Sequence, residues 1–197
     1  MRKGTEESVT FMIEVSNMIM VGALSRNIGK TEFACALIRE LSKKHRVCGV
    51  KVTTIHANDY DFHEDVPRAE QFLRGQKSFE IREESAENAA LNGTDTAKML
   101  YNGAKRAFWV CSSFKDLAAA AKNIAGLAKP FEFVVCESNS LRHHIKPKQF
   151  ILLEKPESVS TKPESETIRT YADMIINQFD DVLVKEIVCK VENGEAQ

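Results

Sequence analysis

From residue 17 onward, short apolar runs alternate with amphipathic stretches, and that alternation leaves few architectures open to the chain. The spans 17–23, 47–54, 107–111, 131–136 and 150–153 are apolar or rich in β-branched residues and read as strands. Between them, 31–44 carries Phe33, Ala34, Leu37, Ile38 and Leu41 at helical spacing. The span 95–102 reads as a short helix capped by Thr94 or Asp95, and 114–128 as an alanine-rich helix with Pro130 just past its end. Pro67 opens a further helix at a position proline favours. The span 163–179 reads as a helix with an acidic start, and 182–191 alternates like a last strand. Strands joined through helices need right-handed crossovers, so the expectation is an α/β fold of three layers around a mostly parallel sheet. Ligands of such sheets lie beyond the carboxyl ends of the strands. The loops to watch are therefore 24–31, 55–66, 112–114, 137–147 and 154–162.

A chain of 197 residues suits one domain, here 10–191, with polar tails at 1–9 and 192–197 expected to be loose. A formal net charge of -1 gives no basic footprint, so no nucleic-acid partner is expected. No run approaches the roughly 18 to 20 apolar residues of a membrane span. Glu14, Ser16 and Asn17 interrupt the first apolar stretch, which argues against a signal peptide. The five cysteines, Cys35, Cys48, Cys111, Cys136 and Cys189, are odd in number and scattered, and several sit in apolar runs. That pattern fits a reducing compartment, so the expected location is the cytoplasm, with Cys48 and Cys136 as core thiols.

The loop after the first strand reads Leu24-Ser25-Arg26-Asn27-Ile28-Gly29-Lys30-Thr31. It is a deviant form of the phosphate-binding pattern G-x-x-x-x-G-K-[ST], with Leu24 in place of the first glycine and Gly22 two residues earlier. Backbone N–H groups of such a loop wrap phosphates, and the following helix adds the positive end of its dipole. The context is right: apolar strand, loop, Gly-Lys-Thr, amphipathic helix. This points to a P-loop NTPase fold, with Ser25, Arg26, Asn27, Ile28, Gly29, Lys30, Thr31 and Glu32 as the nucleotide-binding residues. Lys30 would reach the terminal phosphates and Thr31 would hold Mg²⁺.

A metal-nucleotide site also needs an acid, usually at the end of a neighbouring apolar strand. The run 131–136 ends in Glu137. A carboxylate at such a point is costly to bury unless it is paired or metal-bound. Lys30 and Glu137 are thus the candidate catalytic residues, and Thr31 and Glu137 the candidate metal ligands.

Read together, these pieces resemble the molybdopterin-guanine dinucleotide biosynthesis protein B family. Four segments carry the likeness: the first strand with Gly29-Lys30-Thr31; Gly49-Val50-Lys51 with His56 beyond; Asp95-Thr96 leading through Lys98 to Gly103-Ala104; and Val134-Val135-Cys136-Glu137. Their order spans residues 17–154. The resemblance implies GTP binding with Mg²⁺, weak hydrolysis and a homodimer. It further implies support for a guanylyltransferase partner that completes a molybdenum cofactor. ATP-dependent kinases or ligases of the dethiobiotin-synthetase-like and cobyric-acid-synthase-like kinds share the looser loop and stay open as alternatives. So does a nucleotide-switched adaptor.

Other residues carry weaker signals. Arg26 would touch a phosphate or lie in solvent, and Lys51 would bind an anion or snorkel from its strand. The loop residues His56, Asp59, Asp61, His63, Glu64 and Asp65 match no metal-ligand template and read as solvated charges. Asp95 and Thr96 would contact substrate or cap a helix, and Asn139 or Arg142 would line the site. Thr161-Lys162-Pro163-Glu164 only faintly matches a guanine-reading loop.

Overall fold

The computed structural model describes residues 12–25, 28–55, 74–89, 93–155 and 163–195. The strands are β1 (Ile13–Ala23), β2 (Val47–Ile55), β3 (Phe79–Glu83), β4 (Arg106–Ser113), β5 (Phe133–Glu137), β6 (Ile145–Leu153) and β7 (Met174–Ile176). The α-helices are α1 (Lys30–Leu41), α2 (Ala86–Ala89), α3 (Asp95–Tyr101), α4 (Leu117–Ala128), α5 (Pro163–Thr170) and α6 (Asp181–Asn193). Among the described residues the strands form one seven-stranded sheet in the order β3-β4-β2-β5-β1-β6-β7. Every pairing is parallel except β3 against β4. No helix among the described residues is long and apolar enough to cross a membrane.

Each face of the sheet carries its own helices because each strand alternates its side chains between two apolar layers. On one face Ile19, Val21, Val135 and Ile151 pack against Phe33, Leu37 and Leu41 of α1 and Val184 and Ile187 of α6. On the other, Met20, Val134, Cys136 and Phe150 meet Leu117, Ala121 and Ile124 of α4 and Ile168 of α5. The alternation breaks once in β1, where the register shifts between Val15 and Ile19. There Asn17 donates to the carbonyls of Ala128 and Phe131 at 3.0 and 2.8 Å, tying the strand to the end of α4.

Several expectations need correction. The stretch 182–191 is a helix, not a strand: Asp180 caps it by accepting from the Leu183 N–H at 2.8 Å, and Gly194 closes it with φ 73°. Its buried residues Val184, Ile187, Val188 and Val191 recur at helical spacing, so packing against α1 overrides their β-branched preference. The C-terminal tail is accordingly shorter than expected, since Glu192 and Asn193 belong to α6. The helix expected over 163–179 stops at Thr170. Asp173 then accepts from the Phe150 N–H at 2.6 Å, and Met174–Ile176 pairs with Ile151–Leu153 as an edge strand. β3 is a strand the sequence did not announce, and its residues are largely polar. The helix expected from Pro67 lies outside the described residues, as do the 56–65 loop and the tail 1–9.

The far end of α6 is fastened by a charge cluster with its own pH signature. His45, in the turn between α1 and β2, lies 2.7 Å from Glu192 of α6 through Nε2 and 3.2 Å from Glu132 through Nδ1. Lys44 also reaches Glu192, at 3.4 Å, and the Arg46 N–H donates to Glu132 at 2.8 Å. Desolvation lowers the imidazole's proton affinity, but the two carboxylates outweigh it and raise the pKa above 6.5. The protonated ring therefore stabilises the fold fully below the unfolded value, and that contribution fades as pH rises through the native one. We expect the wild-type melting temperature to fall across that rise and the His45→Gln variant to lack this component. Identical pH profiles for the two proteins would contradict the assignment.

Candidate functional site

The strand order sets the carboxyl ends of β2, β5 and β1 side by side. Within the ladder Val21 pairs with Glu137, and Glu137 pairs with Lys51 on its other side. Glu137 and Lys51 share parity with Val135 and Val47, so both project on the face that α1 covers. There they meet α1 at its first turn. Ile28, Gly29, Lys30, Thr31, Glu32, Lys51, Asp95, Lys98 and Glu137 line a cleft of about 570 Å³.

The loop's turn into α1 depends on one glycine. Gly29 is the N-cap residue, with φ 90° and ψ 22°, a left-handed conformation that costs an ordinary side chain about 1 kcal/mol or more. Space is not the constraint, because a Cβ there would sit 3.6 Å from Phe179. Gly29 accepts from the Phe33 N–H at 2.9 Å, and no side chain caps the helix. The N–H groups ahead of Phe33 are the ones a helix start leaves for a ligand. Ser25 adds a further open group: its hydroxyl oxygen is buried and has no hydrogen-bond partner among the described residues. A buried hydroxyl left unsatisfied costs about 1–3 kcal/mol, which a ligand in the loop would relieve.

Beyond the loop lies a charged network. Thr31 donates its hydroxyl to Oε2 of Glu137 at 2.9 Å, while Lys51 holds Oε1 at 2.5 Å. The Lys51 ammonium also contacts Oδ2 of Asp95 at 2.9 Å, and Lys98 approaches the other Asp95 oxygen at 3.6 Å. Glu137 is 2% exposed, so this pairing is what makes its burial tolerable. Burial opposes charge on both Lys51 and Asp95. Their partners win: Glu137 and Asp95 hold the lysine pKa above its ordinary value, and Lys51, Lys98 and Thr31 hold the Asp95 pKa below its own.

Asp95 reaches Lys51 because of what β2 lacks. Gly49 stands two residues before Lys51 on the same face, and a Cβ there would lie 2.8 Å from Sδ and 3.0 Å from Cβ of Met99. Met99 seats on that bare backbone, and Asp95, one turn earlier on α3, lands over Lys51. Thr94 caps α3 by accepting from the Ala97 N–H at 3.1 Å, which leaves the Asp95 carboxylate for the cleft. Thr96 points away from it, donating to Glu84 at 2.8 Å.

The structure thus brings Ile28, Gly29, Lys30, Thr31, Glu32 and Glu137 together; Ser25 is not among the residues that line the cleft. Arg26 and Asn27 lie outside the described residues, as do His56, Asp59, Asp61, His63, Glu64, Asp65, Thr161 and Lys162. Two expected lining residues serve the scaffold instead. Asn139 accepts from the Ala23 N–H at 2.8 Å and donates to the Ala23 carbonyl at 2.7 Å, fixing where β1 releases the loop. Arg142 is buried, with its guanidinium 4.7 Å from the Tyr171 ring centre and 5.8 Å from that of Phe150. The thiols of Cys35 and Cys48 are pushed up to about 11 and about 12 by burial, and that of Cys136 higher still. They stay protonated and unreactive, as core thiols should.

Lys98 is the lining residue that sequence reasoning left without a role. Its spacing from Asp95 was a usable signal, since residues three apart share a helix face. Among the described residues no cluster of three or more His, Cys, Asp or Glu side chains could hold a metal ion unaided. The donor set does suit magnesium carried by a polyphosphate. Mg²⁺ takes one or two protein oxygens and completes its octahedron with phosphate and water; Thr31 and Glu137 present a hydroxyl and a carboxylate side by side.

No protein-family model matches the chain, and no curated protein matches its sequence.

Proposed function

We propose that the cleft binds a nucleoside triphosphate with Mg²⁺ through a deviant P-loop, and that the chain hydrolyses it slowly in support of cofactor assembly. The carrying observation is the contact of Thr31 with Glu137 at the first turn of a helix that Gly29 opens in left-handed geometry. In this reading the amides of residues 28–31 wrap the phosphates and Lys30 balances charge on the terminal ones. Thr31 and Glu137 would hold the metal, whose chemistry is to neutralise charge that develops on the transferred phosphoryl group. Slow turnover follows from the tasks of the acids: Glu137 would be taken up by the metal, and Asp95 keeps Lys98 as a cationic neighbour at 3.6 Å, which leaves neither as a ready base for water.

A role in molybdenum cofactor biosynthesis, with a guanylyltransferase partner and a homodimer, rests on the family resemblance. Of the four segments that carry it, Lys30-Thr31, Gly49-Val50-Lys51, Asp95-Thr96 through Lys98 and Val134 to Glu137 fall on the elements that build the cleft, while Gly103-Ala104 follow α3 and His56 lies outside the described residues. A second reading, an ATP-dependent kinase or ligase for a small molecule, draws on Asp95 and Lys98. They line the cleft beyond the phosphate loop, where an acceptor would lie.

Thermal unfolding with GTP or ATP, each with and without Mg²⁺, tests the proposal. A ligand at 100 times its Kd stabilises the native state by about 2.7 kcal/mol, well within reach of such a scan. GTP preference would favour cofactor assembly, and ATP preference the kinase or ligase. If neither nucleotide shifts the transition, the reading fails.

A further inference from the structure

We propose that Lys51 is a built-in stand-in for the divalent cation: its ammonium neutralises Glu137 and Asp95 in the nucleotide-free protein and gives way when the metal arrives with polyphosphate. The inference rests on the nucleotide-binding reading above.

The geometry supports a stand-in rather than a surface ion pair. Nζ lies 2.5 Å from Glu137 and 2.9 Å from Asp95, and the side chains of Lys51, Glu137 and Asp95 are 21%, 2% and 31% exposed. Two carboxylates drawn together from a strand end and a helix start repel each other unless a cation lies between them. Thr31 donates to Glu137 at 2.9 Å, so the ammonium on the other oxygen of that carboxylate sits beside the same hydroxyl that a magnesium ion would use. With one positive charge already there, a bare divalent ion meets repulsion and only two acids partly spoken for. A metal bound to polyphosphate brings its own negative charge, and that changes the balance. The four-carbon stem of lysine allows the ammonium to move without disturbing β2. Metal and nucleotide are thereby taken up as one unit.

The test uses the full chain and Mn²⁺ alone, with free metal read by electron paramagnetic resonance. Lys51→Met should bind Mn²⁺ about tenfold more tightly than wild type, since the acid pair then lacks its cation. Mn²⁺ should also raise the melting temperature of the variant more than that of wild type. Lys51→Arg, which keeps the charge, should bind no more tightly than wild type. Equal Mn²⁺ affinity in Lys51→Met and wild type overturns the proposal, as does a gain in Lys51→Arg matching that of Lys51→Met. Should Lys51→Met fold poorly, recovery of its fold with added Mn²⁺ supports the stand-in role and failure to recover counts against it. Nucleotide titration of the wild type separates the two readings. Binding of nucleotide with unchanged metal affinity in the variant rejects the stand-in alone, whereas absence of nucleotide binding rejects the function.

Discussion

Lys30→Ala should abolish measurable triphosphate binding while leaving the fold intact, an affinity loss of roughly 100-fold or more for a charge-assisted contact with phosphate in a partly enclosed site. Lys30 is the first residue of α1 and lines the cleft beside Gly29 and Thr31. Alanine is the best helix former, so the substitution does not cost the helix its start. Titration with a fluorescent nucleotide measures the affinity, and circular dichroism checks the fold. An unchanged Kd in a folded variant would remove the phosphate loop from the argument and the function with it.

Glu137→Ala should have the second large effect, on stability and metal dependence together. The side chain is 2% exposed and accepts from both Thr31 and Lys51, so its removal leaves a half-buried ammonium with Asp95 as its remaining carboxylate. Breaking such a pair costs about 3–5 kcal/mol, and the surviving Asp95 contact places this case near the lower end. Glu137→Gln keeps a side chain of the same shape and an acceptor for Thr31, so it should lose less stability. Both variants should lose the Mg²⁺ dependence of nucleotide binding. Chemical denaturation and nucleotide titration with and without Mg²⁺ report the two effects. Wild-type stability in Glu137→Ala, with its metal dependence intact, would show that this carboxylate does neither job.

How much of this was legible beforehand depends on how local each interaction is. Gly29, Lys30 and Thr31 are contiguous, so their meeting at the start of a helix could be read directly from the chain. Glu137 was legible because an acid closing an apolar strand calls for a partner. The partner was not. Lys51 is 86 residues away and meets Glu137 through the β2–β5 register, which no local pattern in the sequence encodes. Asn139 and Arg142 show the converse: their side-chain types suggested ligand contact, but one completes the backbone bonding of Ala23 and the other packs on aromatic rings. At the C-terminus, the β-branched content of α6 outweighed its helical spacing in a reading based on propensity. Met174–Ile176 reads as a continuation of the helix before it, because an apolar run of that length carries no period of its own.

Gly49 acts as a spacer of zero thickness between a strand and the helix above it. The missing side chain sets how low α3 rides, and that height decides whether an acid one turn along can close on a lysine one rung up the strand. A bulkier residue at this position touches neither charge, yet it would pry the two apart and shift the balance of the whole cleft from beneath. The tuning of the site thus reaches down into the floor of the protein, to an atom that is not there.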